Sequence, residues 1–359
     1  MTTLPPGAAP PGFNPARLVA LMRAGVERCG LDLRGITVLT EAASGAYAST
    51  AILAALAGAD RVHAVVKDTA YGSAEAVRAE VEGLAVMAGV ADRLRIATGD
   101  PVELAAGADL VTNSGHVRPI DARFIERLPD HAVIALMYEV WEYRPADIDI
   151  AACAARGIPV VGVNERHPSV DVFSFLGPLA VQELHAAGIP VYGSRIALLC
   201  DNPFAPFIER GLTGMGAEVL TVDHPGSLPS GCWDAVLVAL RPRGAPVFGA
   251  DDVARVLRQS PGTVLVQYWG DVDRDAVHGA VHEVGLPLWP PAAPRPGHMA
   301  VLLSAIGPDP IVRLQAGGLR AAEWVLRNGV ASCPPGGIAE LLPTPLTASS
   351  PAGAEAVRA

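Results

Sequence analysis

Three short segments of this chain put titratable and hydrogen-bonding side chains directly after apolar runs. Asn113, Ser114 and His116 close the run DLVTN; Tyr138, Glu139, Trp141, Glu142 and Tyr143 follow AVIALM; Asn164, Glu165, Arg166 and His167 follow PVVGV. A histidine or glutamate so placed can give or take a proton, amides and hydroxyls can orient a polar substrate, and aromatic rings can wall off water. His116 and Glu139 are therefore candidate acid–base groups. Asn113, Ser114, Tyr138, Trp141, Glu165 and His167 are candidate substrate contacts. The plain alternatives are a solvated loop histidine, a surface loop of mixed character, and a cap or hinge at 164–167. The loop 137–144 stands out because its rings and charges are clustered in a chain that is only 5% aromatic.

Such segments need strands to carry them, and the chain supplies strands in alternation with helices. Short β-branched or apolar runs at 36–39, 61–66, 95–97, 109–113, 132–137 and 159–163 alternate with Ala- and Leu-rich stretches such as 49–57. After a long helix at about 173–187 the series restarts, with strands at 195–200, 218–222, 235–240 and 263–267 and a helix at 204–215. A last helix, about 310–327, is long enough to pack back on the first domain. Repeated βαβ units wind parallel sheets. The expected fold is α/β: two doubly wound Rossmann-like domains, 14–187 and 188–342, with an interdomain cleft. Segments 1–13 and 343–359, built of Pro, Gly and Ala without apolar period, are expected to be disordered tails. Open parallel sheets bind ligands beyond the carboxyl ends of their strands, which is where the candidate segments fall.

Bulk composition narrows the function. The 359 residues carry 27 Lys plus Arg against 37 Asp plus Glu, a net charge of -10, which repels nucleic-acid backbones and anionic lipid heads. A small-molecule partner is expected, with no nucleic acid and no membrane. Mean hydropathy is positive, +0.32, yet no uninterrupted apolar run reads as a membrane span and no secretory leader is visible, so a soluble cytoplasmic protein is expected. Cys29, Cys153, Cys200, Cys232 and Cys333 are scattered and odd in number, against both a disulfide framework and a zinc site, so no metal is expected. H-E-x-x-H, G-x-x-x-x-G-K-[ST] and G-x-S-x-G do not occur.

From residue 100 to about 330 the order of segments resembles the D-2-hydroxyacid dehydrogenase family, of the formate and glycerate dehydrogenase type. The resemblance is carried by 108–136 (ADLVTNSGHVRPIDARFIERLPDHAVIAL), by 146–165 (ADIDIAACAARGIPVVGVNE), by 192–223 and by 233–277. It implies an NAD(P)-linked oxidoreductase acting on a small polar, carboxylate-type substrate, commonly a homodimer. The family's G-x-G-x-x-G turn corresponds to Cys200, Asp201, Asn202, Pro203, Phe204 and Ala205, which makes Asp201 and Asn202 the cofactor-turn residues, with bulky rings and prolines where glycines would admit a pyrophosphate. Asp223 stands where an acidic residue bonds the ribose. Tyr268 and Trp269, candidate cofactor-binding residues, occupy the stretch of the family's catalytic arginine, no glutamate matches its acidic partner, and His298 corresponds to its acid–base histidine. Arg243 and Arg313 are other possible sources of positive charge.

A second likeness lies in the first domain. Residues 38–68 are similar to the first two strands of class I S-adenosylmethionine-dependent methyltransferases, with Ser44, Gly45 and Ala46 in the turn and Asp68 after the second strand. S-adenosylmethionine, which has no pyrophosphate to seat, is thus the alternative cofactor, and a group transferase or a non-catalytic binding protein the alternative function.

Overall fold

The computed structural model describes residues 14–69, 72–277, 287–295 and 298–343, so the expected tails lie, except for residue 343, outside the described residues. In chain order the elements are α1 (Pro15–Cys29), β1 (Thr37–Glu41), α2 (Ser49–Leu56), β2 (Arg61–Val65), α3 (Ala74–Ala88), β3 (Leu94–Ala97), β4 (Leu110–Thr112), α4 (Ala122–Ile125), β5 (Val133–Ala135), α5 (Ile150–Arg156) and β6 (Val160–Val163). There follow α6 (Leu176–Ala186), β7 (Arg195–Leu199), α7 (Ala205–Gly214), β8 (Glu218–Val222), β9 (Ala235–Ala239), α8 (Ala250–Gln259), β10 (Val264–Trp269), β11 (Leu288–Trp289), α9 (Asp309–Asn328) and β12 (Ala339–Leu341). Local chemistry sets many of the ends. At α1 the Asn14 side chain accepts from the Ala16 and Arg17 amides, Pro15 opens the helix, and Gly30 closes it at φ 58°.

The chain forms two compact units, the first comprising residues through Val172 and those from Gly307 onward, the second Phe173–Ile306. In the first unit the sheet runs β12-β6-β5-β4-β1-β2-β3. All neighbours are parallel except β12, which pairs antiparallel with β6. The six parallel strands therefore read 3-2-1-4-5-6, and the order reverses between β1 and β4. One face buries Leu39, Val111, Ile134 and Leu136 with Phe124, Leu128 and Cys153 from the α4–α5 side. On the other face α1, α2 and α9 converge, and a Cβ at Gly25 would touch Val312, Ala316 and Leu53. Thr50 on α2 donates to Gln315 on α9 at 2.7 Å, both side chains being buried.

The second unit has one parallel sheet, β11-β10-β9-β7-β8, which reads 2-1-3-4-5. Strand alternation divides its core in two. Ile196, Leu198, Leu237 and Val266 face α6 and α7, while Ala197, Leu199, Val236 and Leu265 face the α8 side. The sequence places the division of the chain at 187/188, but the structure places it before α6. The reason is packing: Gly177 on α6 lies so close to α7 that a Cβ there would sit 2.8 Å from the Gly211 Cα. Among the described residues no helix is long and apolar enough to cross a membrane, and no group of three or more His, Cys, Asp or Glu is placed to hold a metal ion.

Candidate functional site

The reversal between β1 and β4 puts two strand ends side by side, and acidic side chains fill the space beyond them. Glu41, the last residue of β1, accepts the His116 amide at 3.0 Å, and its carboxylate lies where a Cβ on Gly115 would come within 2.9 Å. In the turn after β1, Gly45 has φ 64° and open space where its Cβ would be. Its amide donates to Glu80 of α3 at 2.9 Å. Amides at such a turn suit an anion, and here the chain's own carboxylate oxygens stand in for one.

Beyond β4, Asn113 is fully buried and wholly committed. Its Nδ2 donates to the Tyr138 hydroxyl at 2.7 Å, and its Oδ1 accepts from Arg118 Nε at 3.0 Å. Arg118 reaches Asp147 at 3.5 Å, and the Tyr138 hydroxyl donates weakly to the same carboxylate at 3.5 Å. Burial, with help from Asp147 and Glu142 and against Arg118 and Arg144, pushes the Tyr138 phenol up to about 12, so it remains a donor at neutral pH. Ser114 bonds Thr112, which donates to Thr40.

The chain leaves β5 through Met137, whose φ of 68° is rare for a side-chain-bearing residue. Gly318 on α9 makes room for it: a Cβ there would meet the Met137 sulfur at 2.8 Å. The turn delivers Glu139 into the interior, 4% exposed. Its Oε2 accepts the Trp141 indole N–H at 2.5 Å, its Oε1 accepts the Glu165 amide at 3.3 Å, and Arg166 Nε lies 3.9 Å away. Glu165, after β6, is 8% exposed. Burial raises its carboxyl well above the usual range, and Glu142, Glu139 and Glu340 of β12 add to the shift. Burial and Glu139 push Glu142 up to about 7, opposed by Arg144 and the Glu139 backbone. Glu340 is raised by burial first, then by Glu139. Burial and mutual repulsion act in the same direction on these carboxyls, each opposing the ionisation of the others.

Asn164 pins this corner, its Nδ2 donating to Gly337 O at 3.1 Å and Gly336 O at 3.3 Å and its Oδ1 accepting the Arg166 amide. His167 is held by Ser169, Nδ1 to Oγ 2.8 Å. Arg313 bonds Asp309 and Asp171 and belongs to the anchoring of α9.

The second unit uses its candidate residues differently. Asp201 accepts the Arg241 amide at 2.7 Å and the Arg243 guanidinium at 2.8 Å; burial alone would raise its carboxyl, but these donors and Asn202 hold it below the usual range. Asn202 bridges the turn, donating to Ala239 O at 2.6 Å and accepting the Phe204 amide at 3.1 Å. Phe204 is buried, stacked on Trp269 at 5.0 Å and edge-on to Phe173 at 5.2 Å. Tyr268 is 1% exposed and its hydroxyl donates to Leu176 O at 2.9 Å. Tyr268 and Trp269 are thus core residues of β10, which takes in two residues beyond the run TVLVQ. Asp223 stands largely exposed past β8, 3.8 Å from His224. The His298 amide donates to Arg295 O at 3.0 Å.

The structure therefore brings Asn113 to Tyr138 and Glu139 to Trp141 and Glu165, all in the first unit. Sequence reasoning missed Glu41, Glu80 and Glu340. Glu41 had a local signal as the acidic end of an apolar strand, whereas Glu80 meets Gly45 from 35 residues away and Glu340 arrives on a strand the pattern did not reveal.

No family model and no curated protein matches the chain. Among solved structures it is similar to a dipicolinate synthase polypeptide from Bacillus halodurans, at 13% identity and TM-score 0.52 over 79% of this chain and 96% of that one. It is similar to the pyruvate reductase of Chlamydomonas reinhardtii, at 11% identity and TM-score 0.52 over 84% and 98%. An NAD-dependent formate dehydrogenase from Staphylococcus aureus, solved with NAD, aligns at 13% identity and TM-score 0.50 over 81% and 95%. The chain thus has the Rossmann-like α/β fold of these structures, and at these identities the fold is what it shares.

Proposed function

We propose that the chain is an NAD(P)-linked oxidoreductase acting on a small polar substrate at the carboxyl edge of the first unit's sheet. One observation carries the reading: the six parallel strands of that sheet run 3-2-1-4-5-6 and reverse between β1 and β4, the arrangement that receives a dinucleotide in the crevice at the reversal. The likeness of fold to dehydrogenases, one of them solved with NAD, supports it.

The two strand-to-helix turns differ in their fit to the nucleotide. After β7 the fit is poor, because Asn202 bridges the turn, Phe204 fills its floor, Asp201 adds negative charge and Pro206 removes an amide from the first turn of α7. After β1 the fit is better. Ser44 and the left-handed Gly45, with open space above it, would hold the phosphates, and Asp68, one oxygen of which accepts the Ala74 amide at 2.7 Å, would hold a ribose. The proposal therefore seats the nucleotide at Asp68 and not at Asp223. Glu80 competes for the Gly45 amide and weakens the seat.

When bound, a nicotinamide nucleotide supplies or accepts the hydride. The chain must hold the accompanying proton, and Glu142, pushed up to about 7, is matched to that task at neutral pH. The test is a titration of the full chain with NADH, NADPH and S-adenosylmethionine, followed by energy transfer to the nicotinamide and by calorimetry. Binding of either reduced nucleotide, weakened at least tenfold by Gly45→Val or Asp68→Ala and unmoved by Asp223→Ala, is the expected result. Silence with both nucleotides, or sensitivity to Asp223→Ala alone, overturns the reading.

A further inference from the structure

We propose that the second unit encloses a binding site for a single water molecule, held among Trp233, Gln259 and Thr263 at the amino end of its sheet. The site is independent of the nucleotide seat proposed above.

Buried polar atoms without partners carry the argument. Among the described residues four side-chain atoms shut off from solvent lack a hydrogen bond, and three of them, Trp233 Nε1, Gln259 Oε1 and Thr263 Oγ1, belong to one corner. Two segments are stitched together there. Ser260 Oγ accepts the Trp233 amide at 3.1 Å and donates to Gly231 O. The Thr263 amide donates to Ser260 O at 3.2 Å, and Gln259 Nε2 donates to Ser230 Oγ at 3.4 Å. The indole edge that carries Nε1 lies over Gly231, where a Cβ would meet that nitrogen at 3.6 Å. Trp233 packs in the core on the α8 side, Gln259 ends α8, and Thr263, two residues before Leu265, shares that strand residue's face. Trp233 and Thr263 are 7% and 1% exposed, and the Arg195 guanidinium covers the indole face at 5.0 Å.

The indoles elsewhere show how unusual this corner is. Those of Trp141, Trp289 and Trp324 donate to oxygens of Glu139, Glu183 and Ser332. Buried polar groups are nearly always paired, with protein or with ordered water. The atoms also select their ligand. An indole N–H only donates, which turns away a cation; an amide oxygen only accepts, which turns away an anion; a hydroxyl does either. A neutral molecule that both accepts and donates satisfies them together, and at atoms closed to solvent that molecule is water. It accepts from Trp233 Nε1, donates to Gln259 Oε1 and takes Thr263 Oγ1 as its third partner, and about three hydrogen bonds is the usual number for a buried water. So placed, it ties the end of α8 to the starts of β9 and β10.

Two measurements on the full chain test this. In NOE and ROE spectra of isotope-labelled protein, the Trp233 indole proton, assigned by its loss in Trp233→Phe, should show cross-peaks to water of opposite sign, the signature of a water that tumbles with the protein. The cross-peak should survive in Thr263→Val, where no hydroxyl can relay it. In urea, Thr263→Val should unfold at a lower midpoint with unchanged slope, because the variant deprives the water of a partner. A hydroxyl with no water beside it predicts the reverse: a methyl in its place removes an unpaired buried group, and the midpoint stays or rises. Should Thr263→Val fail to fold, Gln259→Met takes its place in the urea measurement, with the same expected sign. Cross-peaks of equal sign or none, their loss in Thr263→Val, or a midpoint at or above that of the wild type overturns the proposal.

Discussion

Glu142 and Glu165 keep their protons in the folded chain at pH values where a carboxyl in the unfolded chain has lost its own, and the sign of the consequence is fixed. Both are raised from 4.5, Glu142 to about 7 and Glu165 well above 4.5, so between these values the folded state binds more protons than the unfolded one. Their contribution is fully present below about 4.5 and is lost as pH rises through the folded values. The melting temperature is accordingly expected to fall between pH 5 and pH 8, and Glu165→Gln to flatten that fall; an unchanged slope would remove Glu165 as its source. The lowered carboxyl of Asp201 acts in a more acidic window, below 3.8, and does not confuse the measurement. At the other corner, Glu80→Gln takes a negative charge off the Gly45 amide, and a several-fold gain in NADH or NADPH affinity is expected by equilibrium titration. Residues such as Asn113, Glu139 and Glu165 were legible because each directly follows an apolar run that had to be a strand. Their partners Glu80 and Glu340 were not, since only the wound sheet brings them near.

Among the elements, strands were easier to read than the turns that end them. β10 continues through Trp269, and this one extension takes Tyr268 and Trp269 out of the loop where sequence put them and into the core beside Phe204. β12 escaped notice because two apolar residues around Glu340 make no visible period, and its place is set by antiparallel pairing with β6. The helix pair α6–α7 depends on backbone proximity at Gly177 and Gly211. Gly211→Val is expected to destabilise the second unit by about 1–3 kcal/mol, the usual cost of overpacking, read as a lower urea midpoint at unchanged slope. A midpoint equal to the wild type would show that the helices separate without cost.

The molecule as a whole is two cores on one chain, one continuous and one interrupted. Residues 173–306 hold both faces of their sheet within a single stretch, so this segment expressed alone is expected to unfold cooperatively in urea, followed by circular dichroism. Residues 14–172 alone are not expected to do so, because α9 and β12 are missing from them. Sequence order made the two-part division visible, but the switch in membership before α6 depends on glycine contacts that no local pattern announces. The return of α9 to α1 and α2, sealed by the Thr50–Gln315 bond, also imposes a schedule on synthesis. While the ribosome is still adding the inserted unit, the floor formed by Leu53 and its neighbours has no cover, and the nascent chain must shield that greasy surface, or borrow a chaperone to do so, until the late helix emerges.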